Sequence, residues 1–305
     1  MEVSAGLSLQ PCSWIGCDGP RGRPSGFLKF SKGIGEERKF QRLSLRGASE
    51  WDNKAIQLGI SCCYKKHGAS AVGSENVHVV ADEALVIKRK SEDVAPYLNG
   101  RCIYLVGMMG SGKTTVGKIL SEVLGYSFFD SDKLVEQSVG MSSVAQIFQE
   151  RSEAFFRDSE SEVLRDLSAM HRLVVATGGG AVIRPINWKY MKHGITVWLD
   201  VPLEALARRI AAVGTASRPL LHQESGDPFT KAFTRLTTLA EKRGDAYANA
   251  DARVCLQHIA SKKGHEDVCS LTPTAIAIEA LLQIESFLTA VDAKAFNQRK
   301  SYLQA

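Results

Sequence analysis

The sequence lacks the features that mark membrane proteins and nucleic-acid-binding proteins. It has no uninterrupted run of about 18 apolar residues, the length that a membrane span needs. Residues 1–64 carry 9 Lys and Arg against 6 Asp and Glu, and the rest of the chain carries 29 against 27. No basic stripe stands out, which argues against nucleic acid as the main partner. We therefore expect a protein that engages neither a membrane nor nucleic acid.

A disulfide framework is also missing. The cysteines are odd in number and irregularly spaced, which is typical of a reducing compartment; they are Cys12, Cys17, Cys62, Cys63, Cys102, Cys255 and Cys269. Two of them form a loose group with two histidines, namely Cys255, His258, His265 and Cys269. Its spacings match no common zinc site, so we do not favour a metal there.

Residues 1–64 have neither the sustained apolar period of a folded domain nor the continuous apolar core of a secretory signal. They are rich in Gly, Ser, Arg and Pro, and acidic residues are sparse up to Gly35. This composition favours an organelle transit peptide, with a merely disordered tail as the alternative. Residues 65–96 then form a mixed linker that leads into a turn before the first strand.

The strongest motif follows a short apolar stretch, residues 102–106, that is typical of a buried parallel strand. Gly107, Gly112, Lys113 and Thr114 fit the frame G-x-x-x-x-G-K-[ST], and an amphipathic helical segment comes next. This motif in this context predicts a P-loop, in which backbone N–H groups and a helix N-terminus hold a polyphosphate.

Each P-loop residue type has a physical role. Glycine adopts positive φ and lets the backbone approach a ligand closely. We expect Lys113 to lie on the β- and γ-phosphates and the Thr114 hydroxyl to ligate Mg²⁺. The residues expected to contact the nucleotide are Gly107, Met108, Met109, Gly110, Ser111, Gly112, Lys113, Thr114 and Thr115.

Two more groups follow strands and should meet at the same edge of a parallel sheet. Asp130 and Asp132 come after an apolar stretch at 126–129, and Gly178–Gly180 come after another at 173–176. An aspartate there can also cap a helix, and the glycines can form an ordinary tight turn. For the pair we favour Asp130 near a metal and Asp132 near a second substrate.

The chain alternates strands and helices, which predicts a three-layer α/β fold with a parallel sheet. The expected strands cover 102–106, 126–129, 173–176, 195–199 and 252–256, and one long helix covers 142–170. One domain spans about 97–290, with a possible lid at about 213–228 and a frayed tail at 291–305.

In combination, the motifs resemble the shikimate kinase family, its plastid members in particular. The matching stretches are GMMGSGKTTVG (107–117), FFDSD (128–132), IFQERSEAFFRDSE (147–160), TGGGAV (177–182), LDVPLEALARR (199–209), RPLL (218–221) and KRGDAY (242–247). The resemblance implies a nucleoside-monophosphate-kinase-like fold with a five-stranded parallel sheet. It also implies transfer of the γ-phosphoryl group of ATP to the 3-hydroxyl of shikimate, with Mg²⁺, in the chloroplast.

The resemblance further implies roles for individual residues. Lys113, Asp132 and Arg218 would be catalytic, and Thr114 and Asp130 would serve the metal. Arg209 would lie along the adenine, and Arg218 would reach over ATP from the lid. The shikimate-binding groups would be Asp132, Arg157, Glu160, Gly178, Gly179, Gly180 and Arg243.

Two residues depart from the family pattern: Ser152 replaces a glycine before Glu153, and Asp245 replaces a proline after Arg243. The lid region also looks longer than in bacterial members. Two other functions stay open at this point. One is a kinase of the same fold acting on gluconate or a nucleotide, and the other is a non-catalytic P-loop protein. We expect a monomer or a weak homodimer.

Overall fold

The fold is built on one parallel β-sheet. The computed structural model describes residues 75–213 and 227–304, with the side chains of 82–212 and 227–293. Its strands are β1 (Ile103–Val106), β2 (Ser127–Asp130), β3 (Leu173–Ala176), β4 (Ile195–Asp200) and β5 (Ala252–Cys255). The strand order is β2-β3-β1-β4-β5, and every neighbouring pair is parallel. The predicted fold class is confirmed.

The strand register aligns the carboxyl ends that the sequence analysis singled out. Asp130 pairs with Ala176, which in turn pairs with Leu105 of β1. The strands β1 and β3 are buried throughout, as central parallel strands covered on both faces should be. The P-loop, the aspartates and the three glycines therefore leave the sheet side by side.

The helices surround this sheet in two groups. In the first, α2 packs on β1–β3, α10 packs on α2 and β5, and α1 packs on α10 and α2. In the second, α5 packs on α3, α4 and α6, and α7 packs on α8. The bounds are α1 (Glu75–Leu98), α2 (Lys113–Leu124), α3 (Ser131–Val139), α4 (Val144–Glu150), α5 (Glu153–Ser168), α6 (Pro185–Met191), α7 (Leu203–Val213), α8 (Pro228–Tyr247), α9 (Leu256–Lys262) and α10 (Pro273–Gln304).

The expected linker is wrong from Glu75 onward, because α1 occupies most of it. Ile87, Val94 and Leu98 of this helix are buried in the core. These apolar residues recur at helical spacing, but polar residues between them weakened the pattern in the sequence. The transit-peptide prediction for residues 1–64 lies outside the described residues, as does most of the expected lid.

The single long helix expected over 142–170 is also wrong, because the structure has two helices there. Ser152 separates α4 from α5, and its hydroxyl accepts a hydrogen bond from the Phe155 N–H at 3.1 Å. A serine at an N-cap satisfies one of the unpaired N–H groups of a new helix. Ser152 therefore starts α5 in extended backbone, where the family pattern has a glycine.

The C-terminal helix α10 extends through the expected tail as far as Gln304. Its segment Pro273–Ala293 is, by length and composition alone, apolar enough to cross a membrane. Polar residues divide this segment, so it contains no uninterrupted apolar run of that length. Ile276, Leu281 and Ile284 of this segment are core residues, which accounts for its apolar character within the fold.

Candidate active site

The P-loop has the backbone conformation that its glycines were expected to permit. Gly107, Gly110 and Gly112 have φ of 146°, 81° and 93°, a region that favours glycine. Lys113, the first residue of α2, is 9% exposed, and its Nζ donates to the Gly107 and Met108 carbonyl oxygens at 2.8 Å each. The loop thus holds its ammonium group at the mouth of an anion-binding helix N-terminus.

The expected metal-binding pair lies beside this loop. Thr114 Oγ1 donates to Asp130 Oδ2 at 3.0 Å. Asp130 also caps α3, since its other carboxylate oxygen accepts from the Lys133 N–H. Both roles considered for Asp130 are therefore compatible. A hydroxyl and a carboxylate next to a phosphate cradle fit Mg²⁺, which binds through few protein oxygens together with phosphates and water. Elsewhere in the described residues no cluster of three or more His, Cys, Asp or Glu could hold a metal.

Two carboxyl groups are buried next to the metal pair. Asp132 lies in the first turn of α3, and Glu160 of α5 is fully buried. Burial first, and then the charges of Glu160 and Asp130, raise the pKa of Asp132 to about 7; Lys113 and Arg157 oppose this rise. Burial also raises the pKa of Glu160, against the charges of nearby arginines. An acceptor group with a pKa near neutrality suits a general base.

Two arginines enter the same region from different helices. Arg157 of α5 is 8% exposed, and its Nη1 donates to Glu160 Oε2 at 2.8 Å. Arg243 of α8 is 6% exposed, and its Nη1 donates to the Gly179 carbonyl oxygen at 3.1 Å. Two buried guanidinium groups form a site for an anion that can take paired hydrogen bonds.

The three glycines pack directly against these charged groups. A side chain at Gly178 would collide with the Asp132 carboxylate, and one at Gly180 would collide with the Arg157 guanidinium. The segment is therefore more than an ordinary tight turn: it brings backbone to within contact of both the acid and the arginine. Glycine is the only residue that allows this approach.

Several polar atoms of these acidic and basic side chains are buried and lack a hydrogen-bond partner among the described residues. These atoms are Asp132 Oδ1, Glu160 Oε1 and Arg157 Nε. Leaving a buried polar atom unpaired costs about 1–3 kcal/mol, and such a cost is retained where the atom serves a ligand. The three atoms define a polar pocket that can receive hydroxyl and carboxylate groups.

The other predicted site residues are more dispersed. Arg209 of α7 lies beside the P-loop, where its Nη1 donates to the Gly110 carbonyl oxygen at 3.3 Å. Met108 is buried, Met109 is half-buried and Thr115 is exposed. Arg218 lies outside the described residues.

Two residues that the sequence analysis did not assign belong to the site. The Ser131 hydroxyl accepts from the Gly178 N–H at 2.9 Å, and the Tyr247 hydroxyl donates to the Gly179 carbonyl oxygen at 2.6 Å. Ser131 lies between the two aspartates, and Tyr247 lies one helical turn after Arg243. The signal in the sequence that could have identified them as site residues was their position close to assigned residues.

The P-loop, the metal pair and the buried acid–arginine pocket define a kinase that phosphorylates a small acceptor. The family model for shikimate kinase matches residues 109–276. The chain belongs to the shikimate kinase family.

Named relatives extend over most of the chain. Shikimate kinase 3, chloroplastic, from Oryza sativa subsp. japonica is 65% identical over 289 residues, covering 95% of this chain and 98% of the relative. Shikimate kinase 1, chloroplastic, from Arabidopsis thaliana is 53% identical over 293 residues, covering 94% and 96%. Shikimate kinase from Acinetobacter baumannii, solved in complex with shikimate, is 32% identical with a TM-score of 0.51, covering 63% of this chain and 96% of that structure.

Proposed function

We propose that this chain transfers the γ-phosphoryl group of ATP to the 3-hydroxyl of shikimate, giving shikimate 3-phosphate and ADP. The observation that carries the proposal is the pocket of Arg157, Glu160, Arg243 and Asp132 beside Lys113. Lys113 is close enough to Asp132 for its charge to lower the pKa of that carboxyl group. The phosphate cradle and the acceptor pocket are thus adjacent.

The arginines account for the acid group of the acceptor. A guanidinium presents a planar pair of donors that matches a carboxylate, whereas an ammonium acts as a point charge. Arg157 and Arg243 approach the same glycine segment from α5 and α8. This pairing favours a hydroxylated carboxylic acid over a nucleoside base as the acceptor, which disfavours a nucleotide kinase.

The other predicted site residues have roles in the phosphoryl transfer itself. Asp132 accepts the proton of the attacking hydroxyl, and Lys113 stabilises the charge that develops on the phosphoryl oxygens. Thr114 and Asp130 would hold Mg²⁺, which would supply positive charge beside the transferred phosphoryl group. Arg218 would add a further positive charge from the lid, and Arg209 would lie along the adenine.

The comparison with plant relatives supports the proposed location. The plant relatives are named chloroplastic, and this chain also carries a transit-like segment at residues 1–64. We infer a plastid enzyme whose partners are ATP and shikimate. A monomer or weak homodimer without membrane or nucleic-acid partners remains our prediction.

A substrate panel tests the proposed function. The purified chain is assayed with MgATP and shikimate, gluconate or a nucleoside monophosphate, and ADP release is measured with a coupled enzyme. We expect ADP release with shikimate, and none with gluconate or the nucleoside monophosphate. Release with gluconate and none with shikimate would assign a different acid, and release with none of the three would favour a non-catalytic P-loop protein.

Replacing Arg157 tests the carboxylate site. In Arg157→Ala we expect kcat/KM for shikimate to fall about tenfold or more, since a hydrogen bond to a charged group contributes about 1.5–3 kcal/mol. Arg165→Ala is the matched control, because Arg165 lies on the same helix and is half exposed in a pair with Asp166. A change within about twofold in both variants would exclude Arg157 from acceptor binding.

A further inference from the structure

The hydroxyl of Tyr247 occupies a point between the two halves of the active site. Tyr247 ends α8 and is 2% exposed. Its hydroxyl donates to the Gly179 carbonyl oxygen at 2.6 Å and lies 3.5 Å from the sulfur of Met108 in the P-loop. One side chain therefore contacts both the acceptor segment and the phosphate loop.

The ring of Tyr247 is fixed independently of this hydrogen bond. It stacks on Trp198 of β4 with the ring centroids 5.8 Å apart and the planes 16° apart. The Trp198 ring is itself held by Arg253, whose guanidinium lies 4.7 Å from the ring centroid. Arg253 in turn forms an ion pair with Asp200. The hydroxyl position is thus set by the sheet, and removing the oxygen should leave the ring in place.

A carbonyl held in this way fixes the next amide. The peptide unit is planar and trans, so the Gly179 C=O and the Gly180 N–H point in opposite directions. Tyr247 and Arg243 both donate to this carbonyl from α8. The Gly180 N–H is therefore directed away from the two α8 donors, in a segment where a side chain at Gly180 would collide with the Arg157 guanidinium.

We infer that Tyr247 is a positioning residue for the acceptor, whose hydroxyl holds the Gly179–Gly180 peptide so that its N–H faces the acceptor pocket. The inference deepens the proposed function and rests on it. Glycine needs this support more than other residues do, because it has the largest choice of backbone conformations. Without the hydroxyl, Arg243 is the one remaining side-chain donor to the Gly179 carbonyl among the described residues, and Arg243 is also needed by the acceptor.

The hydroxyl stays a donor over the working pH range. Burial raises the pKa of Tyr247 to about 12, although the charge of Arg243 opposes this. The charged and titratable groups that act on Tyr247 are Arg243 on its own helix and Arg157 and Glu160 on α5. The positioning effect should therefore not depend on pH near neutrality.

The test is Tyr247→Phe, with Tyr104→Phe as the matched control. Tyr104 of β1 is fully buried, its hydroxyl has no hydrogen-bond partner among the described residues, and its ring lies against Gly194, which precedes the amino end of β4. We expect Tyr247→Phe to raise KM for shikimate about fivefold, as for one lost hydrogen bond, with KM for ATP unchanged. If the wild-type protein phosphorylates shikimate and the two variants have the same KM for shikimate, the inference is overturned.

A second measurement does not need shikimate turnover. Hydrogen–deuterium exchange of the peptide covering residues 177–183 in the substrate-free protein should be faster in Tyr247→Phe than in wild type and Tyr104→Phe. Unchanged exchange there would overturn the inference even if the proposed function held. Conversely, faster exchange in Tyr247→Phe, together with no phosphorylation of shikimate by the wild type, would support the positioning role and refute the proposed acceptor.

Discussion

Asp132 carries an electrostatic cost that follows from its surroundings. Its pKa is raised to about 7, mainly by burial and then by the charge of Glu160, whereas an aspartate in an unfolded chain titrates near 3.9. Between about pH 4 and pH 7 the folded protein therefore binds more protons than the unfolded chain. The contribution of Asp132 to the free energy of unfolding falls as pH rises through this window, and the penalty is complete above it.

This cost predicts that Asp132→Asn will be more stable than wild type at pH 8. A shift of this size corresponds to about 2–4 kcal/mol, which an uncharged amide would largely avoid. At pH 5 the folded carboxyl group is mostly protonated while the unfolded one is already largely ionised, so only about a third of the difference should remain. Urea unfolding at the two pH values measures it, and Asp245→Asn, an exposed change on α8, is the control.

The same variant should lose turnover, because an amide cannot accept the proton of the hydroxyl nucleophile. A stability gap that is the same at pH 5 and pH 8 would show that Asp132 does not titrate in this window. The P-loop and the two aspartates could be predicted as site residues because they follow predicted strands, whereas Arg157, Glu160 and Arg243 lie on helices and were assigned through resemblance. The raised pKa of Asp132 could not be predicted, because it arises mainly from burial in the folded site and then from the charge of Glu160, which is 28 residues away in the sequence.

At the scale of elements, the break between α4 and α5 shows where pattern reasoning fails. Apolar residues continue across it at helical spacing, so the sequence favoured a single helix over 142–170. The local signal was Ser152 followed by Glu153, a cap with an acidic first turn. The break matters to function because it sets the start of α5, which brings Arg157 and Glu160 to the site.

The cap predicts a graded response at position 152. Ser152→Ala should lower the free energy of unfolding by about 1 kcal/mol because the Phe155 N–H loses its partner, whereas Ser152→Gly should cost only a few tenths. Chemical denaturation of the two variants measures this difference. Ser159→Ala is the control, since its exposed hydroxyl bonds only to the Phe155 carbonyl within the helix.

The opposite order, with glycine worse than alanine, would mean that backbone freedom at this position outweighs the cap. The order expected here explains how the chain departs from the family pattern at Ser152 without loss of fold. The second departure, Asp245, lies on the exposed side of α8, between the buried Arg243 and Tyr247. A proline is not needed there, because α8 continues unbroken to Tyr247.

The whole molecule is larger than the kinase core that its motifs define. The family model begins at residue 109 and ends at 276, so α1 and most of α10 lie beyond it. These two helices pack on each other, and both contact α2, which carries the P-loop at its start. The full length of α1 could not be predicted from the sequence, because its apolar face carries no motif. That face is explained only by its packing on α10.

This packing predicts that α1 contributes to the stability of the whole domain. Val94 of α1 is fully buried, and Lys90 and Glu83 tie the helix to Glu285 and to Lys263. Val94→Ala should therefore lower the free energy of unfolding by about 1–3 kcal/mol, through lost burial and a small cavity. Tm should fall by roughly 2–4 °C for each kcal/mol in a domain of this size.

Leu85→Ala is the matched control, because Leu85 is on the same helix but 69% exposed. Its effect should stay within about 0.5 kcal/mol, as for other surface changes. Equal destabilisation by the two variants would mean that α1 does not bury Val94 in solution. Both variants should keep KM for shikimate, because the main contacts of α1 in the described part of the chain are with α10 and α2. A loss of stability without a change in KM would therefore separate the support that α1 gives from the chemistry of the site.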